Sequence, residues 1–336
     1  MKYIDVKELK EIVQSGHMNL LVGSGCSRDY LSTLSDIEVR MNAPETAEQA
    51  QKDYCELILK SKAVLSPSRE RSATENGRLT KTRENYNAFL GLLAEIITKR
   101  SLHIVNKQVN IFTTNFDVFM EETCERLGIP YNDGFSGQIH RVFRTANFNR
   151  IQKYKSLQFD NTSDVPIFNI IKLHGSTSWR VRGEEIVYSD GAHIDDDLAE
   201  KDREDFLDGY KKQIAVINPN AEKHFETVLD TTYASLLRKF TLELEKENSV
   251  LIVIGFSLTD AHIRHLLYGV MQSNPTLVVI YYSHSPYNEM SDKLDEKKHQ
   301  NLYVISPEPS FTLDKITGHL RKACLGDTDP AYGIEE

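Results

Sequence analysis

The chain of 336 residues is long enough for two average domains or for one large α/β domain with insertions. Its residues are 40% hydrophobic and 26% charged, as in ordinary soluble globular proteins, which excludes the disordered and fibrous classes. The formal net charge of −9 argues against a broad nucleic-acid-binding surface, because such a surface needs clustered lysine and arginine.

The cysteines and the N-terminal segment exclude further classes. No CxxC pair occurs, so neither a zinc ribbon nor a disulfide framework is predicted from Cys26, Cys55, Cys124 and Cys324. The segment up to Gly16 has an amphipathic helical pattern instead of the apolar core of a signal peptide. No apolar run approaches membrane-spanning length. We therefore expect a cytoplasmic protein that binds no metal and contacts neither a membrane nor nucleic acid directly.

In the first half of the chain, two buried strands are each followed by a motif and a helical pattern. Residues 17–23 are predicted to form the first strand, which leads into a glycine-containing turn. Residues 28–105 have a helical pattern, interrupted by a polar, charged piece at 66–82 that we expect to be a mobile loop. Residues 108–114 are predicted to form the second strand, and apolar side chains then recur at helical spacing up to Gly128.

The second half of the chain repeats this alternation. Further strands are predicted at 170–173, 213–219, 249–255, 277–282 and 302–305. Continuous apolar strands that alternate with helices predict an α/β fold, a Rossmann-like parallel sheet with helices on both faces. We expect a single domain over 1–336. Its core is assigned to about 17–30, 105–130, 167–180 and 213–322, with a helical insertion module at about 31–104 and a polar insertion at about 181–212.

Glycine and polar residues follow four of the predicted strands. In open α/β sheets, ligands bind beyond the carboxyl ends of the strands, so these positions are the first candidates for a binding site. The four segments are Gly23-Ser-Gly-Cys-Ser27, Thr113-Thr-Asn-Phe-Asp117, Lys172-Leu-His-Gly-Ser176 and Gly255-Phe-Ser-Leu-Thr-Asp260.

Each segment alone also has a structural explanation. The turn at 23–25 suits any strand-to-helix connection, although glycine also lets backbone N–H groups approach a pyrophosphate. Asn115 and Asp117 are favoured at helix N-termini, and Asp260 could equally be a helix cap. A single histidine after an apolar strand, such as His174, is more often structural than catalytic. Glycine and polar residues follow four of the strands. This favours a functional site, because helix capping and core packing do not require a particular set of residues at every strand end.

Taken together and in this order, the four segments resemble those of the sirtuin-like family, the silent-information-regulator-two fold. The resemblance extends over about residues 18–285 and implies NAD+ binding in an inverted Rossmann arrangement. It implies that Asn115 and Asp117 line the pocket for nicotinamide and its ribose, and that His174 is the catalytic histidine. The residues that the resemblance implies for binding are Gly23, Ser24, Gly25, Ser27, Thr114, Gly255, Ser257 and Asp260.

Two departures from the family pattern narrow the expected activity. The deacylases of this family carry two CxxC pairs for zinc, and their glycine turn is followed by a Gly-Ile-Pro-x-Phe-Arg stretch; this sequence has neither. The remaining pattern is similar to sirtuin-like effector domains of bacterial antiphage systems. The resemblance therefore implies an NAD+ hydrolase that releases nicotinamide and ADP-ribose, depletes NAD+ in abortive infection, and is activated by a partner or by assembly.

The roles implied for the residues follow from this chemistry. Nicotinamide in NAD+ is already a cationic leaving group, so the site mainly has to stabilise an oxocarbenium-like transition state. His174 would act as the base, Asn115 would position water or ribose, and Asp117 would support the pocket electrostatically.

The partners and two alternative functions come from the same resemblance. We expect a homo-oligomer, with a HerA-type hexameric ATPase as the favoured partner and a short Argonaute as the alternative. The alternatives for function are a non-catalytic subunit that senses NAD+ or ADP-ribose, and a zinc-free protein deacylase or ADP-ribosyltransferase.

Overall fold

The computed structural model describes most of the chain. The described residues are 4–33, 37, 40–41, 43, 45–62, 64, 71–100, 105–158, 160–189, 214–216, 231–258, 260–286, 289–290, 294, 299–306 and 312–326.

Strands and helices alternate through the described residues. The helices are α1 (Val6–Ser15), α2 (Ala47–Lys62), α3 (Ala73–Thr98), α4 (Phe119–Leu127), α5 (Thr231–Leu244), α6 (Ala261–Ser273) and α7 (Leu313–Leu325). The strands are β1 (His17–Val22), β2 (Gln108–Thr113), β3 (Tyr131–Asn132), β4 (Phe135–Ser136), β5 (Val142–Phe143), β6 (Lys153–Lys155), β7 (Thr162–Asp164), β8 (Ile167–Lys172), β9 (Gly175–Arg182), β10 (Glu185–Tyr188), β11 (Ile214–Val216), β12 (Ser249–Ile254), β13 (Val278–Tyr282) and β14 (Leu302–Ile305). Short 3-10 helices follow β1, at Ser24–Ser27, and β5, at Thr145–Asn149.

The central sheet has seven strands in the order β14-β13-β12-β1-β2-β8-β3. Every neighbouring pair in it is parallel. Helices pack on both faces, because successive side chains of a strand point to opposite sides. Leu20 of β1 belongs to a core with α1, α3, α4 and α7, and Leu21 belongs to a second core with α5 and α6. The predicted Rossmann-like α/β fold is confirmed.

Three asparagines fix the register of the central strands. Asn19, Asn110 and Asn169 are buried, and they pair across β1, β2 and β8. Asn110 Nδ2 donates to Asn19 Oδ1 at 2.9 Å, and Asn169 Nδ2 donates to Asn110 Oδ1 at 2.8 Å. A slip by one residue would break these bonds and leave buried amides without partners, which costs about 1–3 kcal/mol for each group. The strands therefore end together at one edge of the sheet.

The prediction of a mobile loop at 66–82 was wrong from residue 73 onwards. Helix α3 begins at Ala73, and the Ser72 hydroxyl caps it by accepting from the Glu75 N–H at 3.1 Å. The sequence Ser-x-x-Glu is typical of a capping box and indicates a helix N-terminus here. The prediction of a loop rested instead on the polar composition of this piece. Residues 66–70 lie outside the described part of the chain.

A second sheet is formed by strands from both before and after β8 in the chain, and it was not predicted. Its strands lie in the order β11-β9-β10-β5-β4 and pair in antiparallel fashion. An aromatic cluster stabilises it, with the rings of Phe143 and Trp179 4.5 Å apart. The predicted polar insertion at 181–212 begins with the end of β9 and with β10, and its residues 190–212 lie outside the described part. The strand predicted at 213–219 is described only as β11, in this second sheet.

No helix in the described residues combines the length and the apolar character that a membrane crossing needs.

Candidate functional site

The four predicted segments meet at one edge of the central sheet. They follow β1, β2, β8 and β12, which are neighbours in the order β12-β1-β2-β8. The last residues of these strands are in register, with Val22 opposite both Thr113 and Ile254, and Lys172 opposite Thr113. Parallel strands that end in register bring the segments after them together, as expected for the binding edge of an open α/β sheet.

The two glycine turns at this edge contact each other through their backbones. Gly23 N donates to the Ile254 carbonyl and Gly25 N donates to the Gly255 carbonyl, both at 2.9 Å. A Cβ on Gly23 would lie 2.4 Å from the Gly255 oxygen, and Gly255 itself has a φ of +63°. Glycine is therefore required here by the close approach of the turns. Gly25 is exposed, although its N–H already donates to the Gly255 carbonyl.

A cavity of about 800 Å³ opens beside these turns. Of the predicted binding residues, Ser24, Gly25, Gly255 and Ser257 line it. The cavity also carries a group of basic side chains from distant segments, Arg28, Arg78, Lys81 and His284. The acidic Asp29 in the lining is paired with Lys81 at 3.5 Å. The volume is within the range of small-molecule sites, and the excess of basic groups suits an anionic ligand.

Ser27 faces the protein interior and not this cavity. Its hydroxyl donates to Asp117 Oδ2 at 2.9 Å, and it lies 2.9 Å from the Tyr86 hydroxyl. Asp117 Oδ1 accepts from the Phe119 N–H at 3.2 Å at the start of α4. Burial raises the pKa of the Asp117 carboxyl and raises that of Tyr86 well above its ordinary value. Asp117 thus makes the contact at a helix N-terminus that its structural interpretation predicts. It also belongs to a buried polar network.

Asn115 connects the segment after β2 to the first glycine turn. Its side-chain Nδ2 donates to the Gly23 carbonyl at 3.2 Å, and its backbone N–H donates to Thr113 Oγ1 at 3.0 Å. Thr114, another predicted binding residue, is also buried. These contacts hold the Asn115 amide beside the turn that lines the cavity.

Asn115 and Asp117 line a small void that is separate from the large cavity. Its volume is about 20 Å³, which is room for about one water molecule. Ser24 lines both spaces, and Leu31 and Leu57 of the helical module also line the void. The void is therefore too small for a nicotinamide ring in this conformation.

His174 lies in the connection between β8 and β9, where the chain passes from one sheet to the other. It is buried, and its Nε2 lies 3.2 Å from Asp260 Oδ2. Asp260 Oδ1 accepts from the N–H groups of His262 and Ile263, so it is also the N-cap of α6. The helix cap that was the alternative interpretation of Asp260 is therefore present, and its other carboxylate oxygen lies beside His174. Neither His174 nor Asp260 is among the described residues that line the two spaces.

Sequence reasoning missed several groups at this edge. The basic lining of the cavity comes from three separate segments, the turn after β1, helix α3 and the residues after β13, and no local pattern indicates that they meet. Lys172 and Tyr86 had weak signals: a lysine that ends a buried apolar strand, and a tyrosine on the apolar face of a helix. Within the described part of the chain, no group of three or more potential ligands could hold a metal ion.

A comparison with models of protein families identifies a family that the chain matches. The model of a family described as SIR2-like domain matches residues 109–305, more than half of the chain. The matched region contains Asn115, Asp117, His174 and Asp260, while the turn at 23–27 precedes it. A search of curated proteins finds no match.

Proposed function

Because the chain belongs to the family of SIR2-like domains, we propose that its substrate is NAD+ and that it hydrolyses the bond between nicotinamide and ribose. A SIR2-like domain is compatible with NAD-dependent activity in general. In this reaction, water adds at C1′ of the ribose, and nicotinamide leaves with the bonding electron pair. The products are nicotinamide, ADP-ribose and one proton.

The observation that carries the proposal is the 3.2 Å contact between His174 Nε2 and Asp260 Oδ2 at the edge where the four strands end. A carboxylate this close to the imidazole would stabilise its protonated form electrostatically. His174 would then accept the proton of the attacking water. General bases of this kind contribute about 10²–10⁴-fold to rate.

The remaining residues of the site would bind and orient the substrate. The large cavity beside the glycine turns suits the adenosine and pyrophosphate, because Arg28 and Arg78 offer positive charge and Ser257 offers a hydroxyl group. The Asn115 amide, held beside Gly23, would position the ribose or the water. Asp117 would support the developing positive charge of the oxocarbenium ion when it is ionised.

The small void supports a latent state as part of the proposal. Nicotinamide cannot occupy about 20 Å³, so Leu31 and Leu57 would have to move before turnover. We propose that assembly into a homo-oligomer or a partner protein drives this movement, with a HerA-type ATPase favoured over a short Argonaute, and that the activated enzyme depletes NAD+ in antiphage defence. This part rests on family resemblance together with the small volume of the void.

The test is the release of nicotinamide and ADP-ribose from NAD+ by the purified protein, alone and with the product of its neighbouring gene. We expect release by the wild type under at least one of these conditions, and loss of release in His174→Ala. The exposed His265 on α6 provides the control, because His265→Ala should leave the rate unchanged. Full activity of His174→Ala, or no release under either condition, would contradict the proposal. Binding of NAD+ without turnover would instead support the sensing subunit.

A further inference from the structure

Lys172, the last residue of β8, has no part in the proposed reaction. Its side chain is only 2% exposed, although lysine is almost never fully buried unless it is paired. In the sheet it lies opposite Thr113, the last residue of β2. Lys172 is thus fixed beside the segment that carries Asn115 and Asp117.

The Lys172 ammonium contacts three residues of that segment and of the helix after it. Nζ donates to the backbone carbonyl of Asp117 and, at 3.4 Å, to that of Asn115. It also forms an ion pair with Glu121 Oε1 at 3.1 Å, in the first turn of α4. An ammonium has three donors, which is the number that these contacts require.

These contacts connect the ends of β2 and β8, and the residues that follow these strands must lie close together for the proposed reaction. Lys172 directly precedes the Leu173-His174 connection, and the Leu173 N–H donates to the Thr113 carbonyl at 2.8 Å. The segment after β2 is therefore tied to β8 by a backbone bond at its start and by the Lys172 ammonium further along. Its side chains have few ways to shift relative to His174.

We infer that Lys172 is a positioning residue, which holds the backbone of Asn115 and Asp117 in the orientation that turnover requires, while Glu121 neutralises its buried charge. The inference rests on the proposed function, because orientation matters for turnover only if Asn115 and Asp117 serve the reaction.

Substitution of both partners separates this role from a role in stability alone. Removing one member of a buried ion pair leaves an uncompensated charge, whereas replacing both by apolar side chains is often neutral for stability. The double variant Lys172→Met/Glu121→Met fills similar volume but donates nothing to the two carbonyls. A merely structural pair would tolerate this change without an effect on turnover.

The experiment compares this double variant with the wild type as full chains. We expect a folded protein with a lower denaturation midpoint, because two backbone carbonyls lose their donor, a fall in kcat for nicotinamide release of about tenfold to hundredfold with little change in KM, and faster amide exchange at 114–118. The control is Arg83→Met/Glu122→Met, which removes a 2.7 Å ion pair at the next position of α4. The control should leave kcat and the exchange at 114–118 at wild-type values.

A double variant with wild-type kcat and wild-type exchange at 114–118 would overturn the inference. If the wild type releases no nicotinamide, the proposed function fails, and the exchange measurement alone still decides whether Lys172 holds the segment. If the double variant does not fold, Lys172→Arg is measured in its place. Arginine keeps the positive charge beside Glu121 but cannot reproduce the hydrogen-bond geometry of the ammonium, so kcat should fall. A Lys172→Arg variant with wild-type kcat and wild-type exchange at 114–118 would equally overturn the inference.

Discussion

Asp260 uses its two carboxylate oxygens for two different purposes. Oδ1 caps α6, and Oδ2 lies 3.2 Å from the imidazole of His174. The first interaction belongs to the fold and the second to the proposed chemistry. Because asparagine is as good an N-cap as aspartate, one substitution can separate them.

Asp260→Asn should therefore lower turnover without lowering stability much. We expect the rate of nicotinamide release to fall by about 10²-fold or more, because a neutral amide cannot stabilise the protonated imidazole. The free energy of unfolding should change by less than about 1 kcal/mol. Asp314→Asn, in the exposed first turn of α7, is the control. Unchanged turnover in Asp260→Asn would show that His174 does not depend on this carboxylate.

Asp117 gives a prediction on pH. Burial raises the pKa of its carboxyl in the folded protein, so the folded state binds this proton more tightly than the unfolded state. Asp117 thus stabilises the fold at low pH, and this contribution is lost as the pH rises through the folded-state pKa. Each unit by which the pKa is raised corresponds to about 1.4 kcal/mol.

The variant Asp117→Asn lacks this titration. We expect it to gain stability relative to the wild type as the pH rises from about 4 towards 7, measured by urea denaturation at several pH values. Asp160→Asn, at an exposed position, should not reproduce the trend. A stability difference between Asp117→Asn and wild type that does not vary with pH would contradict the raised pKa.

At the scale of elements, the contact between the two glycine turns determines how β1 and β12 end. We expect Gly23→Ala to lower the free energy of unfolding by about 1–3 kcal/mol, because the new Cβ would lie 2.4 Å from a backbone oxygen. Gly318 on α7 is the matched control, since a Cβ there meets no atom within 4 Å. Gly318→Ala should stabilise by about 0.5–1 kcal/mol. Equal effects of the two substitutions in denaturation experiments would refute the close approach.

Helix α2 gives a second prediction at this scale, which concerns latency. Leu57 is buried against the small void, so Leu57→Ala should widen the space beside Asn115 and Asp117. We expect the Leu57→Ala protein without a partner to release nicotinamide at least about tenfold faster than the wild type, which corresponds to an activation barrier lower by about 1.4 kcal/mol. Its free energy of unfolding should fall by about 2–5 kcal/mol. Leu92→Ala, in the same core on α3, should cost similar stability without activation. If both variants have the wild-type rate, Leu57 does not hold the enzyme closed.

At the scale of the whole molecule, the sequence predicted the central sheet but not the second one. The strands β1, β2, β8 and β12 are continuous apolar runs, and such runs need partners on both faces. The strand β10 is short and partly exposed, so a local pattern did not distinguish it from an insertion, whereas β9 has eight residues of which the first five are buried. Their pairing depends on contacts between distant segments, which a local pattern does not contain.

The same division applies to the candidate site. The residues at the strand ends could be identified because the topology of a parallel sheet brings its carboxyl ends together. The direction of each side chain could not, because no local pattern indicates that the Ser27 hydroxyl donates to Asp117 instead of facing the large cavity. The basic lining and the Lys172 contacts also depend on the tertiary arrangement. Position along the fold was predictable, whereas orientation and charge environment were not.

The mole ratio of free ADP-ribose to nicotinamide, measured in one NAD+ reaction, tests the central claim most directly. If the enzyme hydrolyses NAD+, the wild type should release equal amounts of ADP-ribose and nicotinamide. A His174→Ala variant that still binds NAD+ should release neither product. Nicotinamide released without matching free ADP-ribose would show transfer to another acceptor, and equal release by His174→Ala would remove the histidine from the reaction. Either result would contradict an NAD+ hydrolase with His174 as its base.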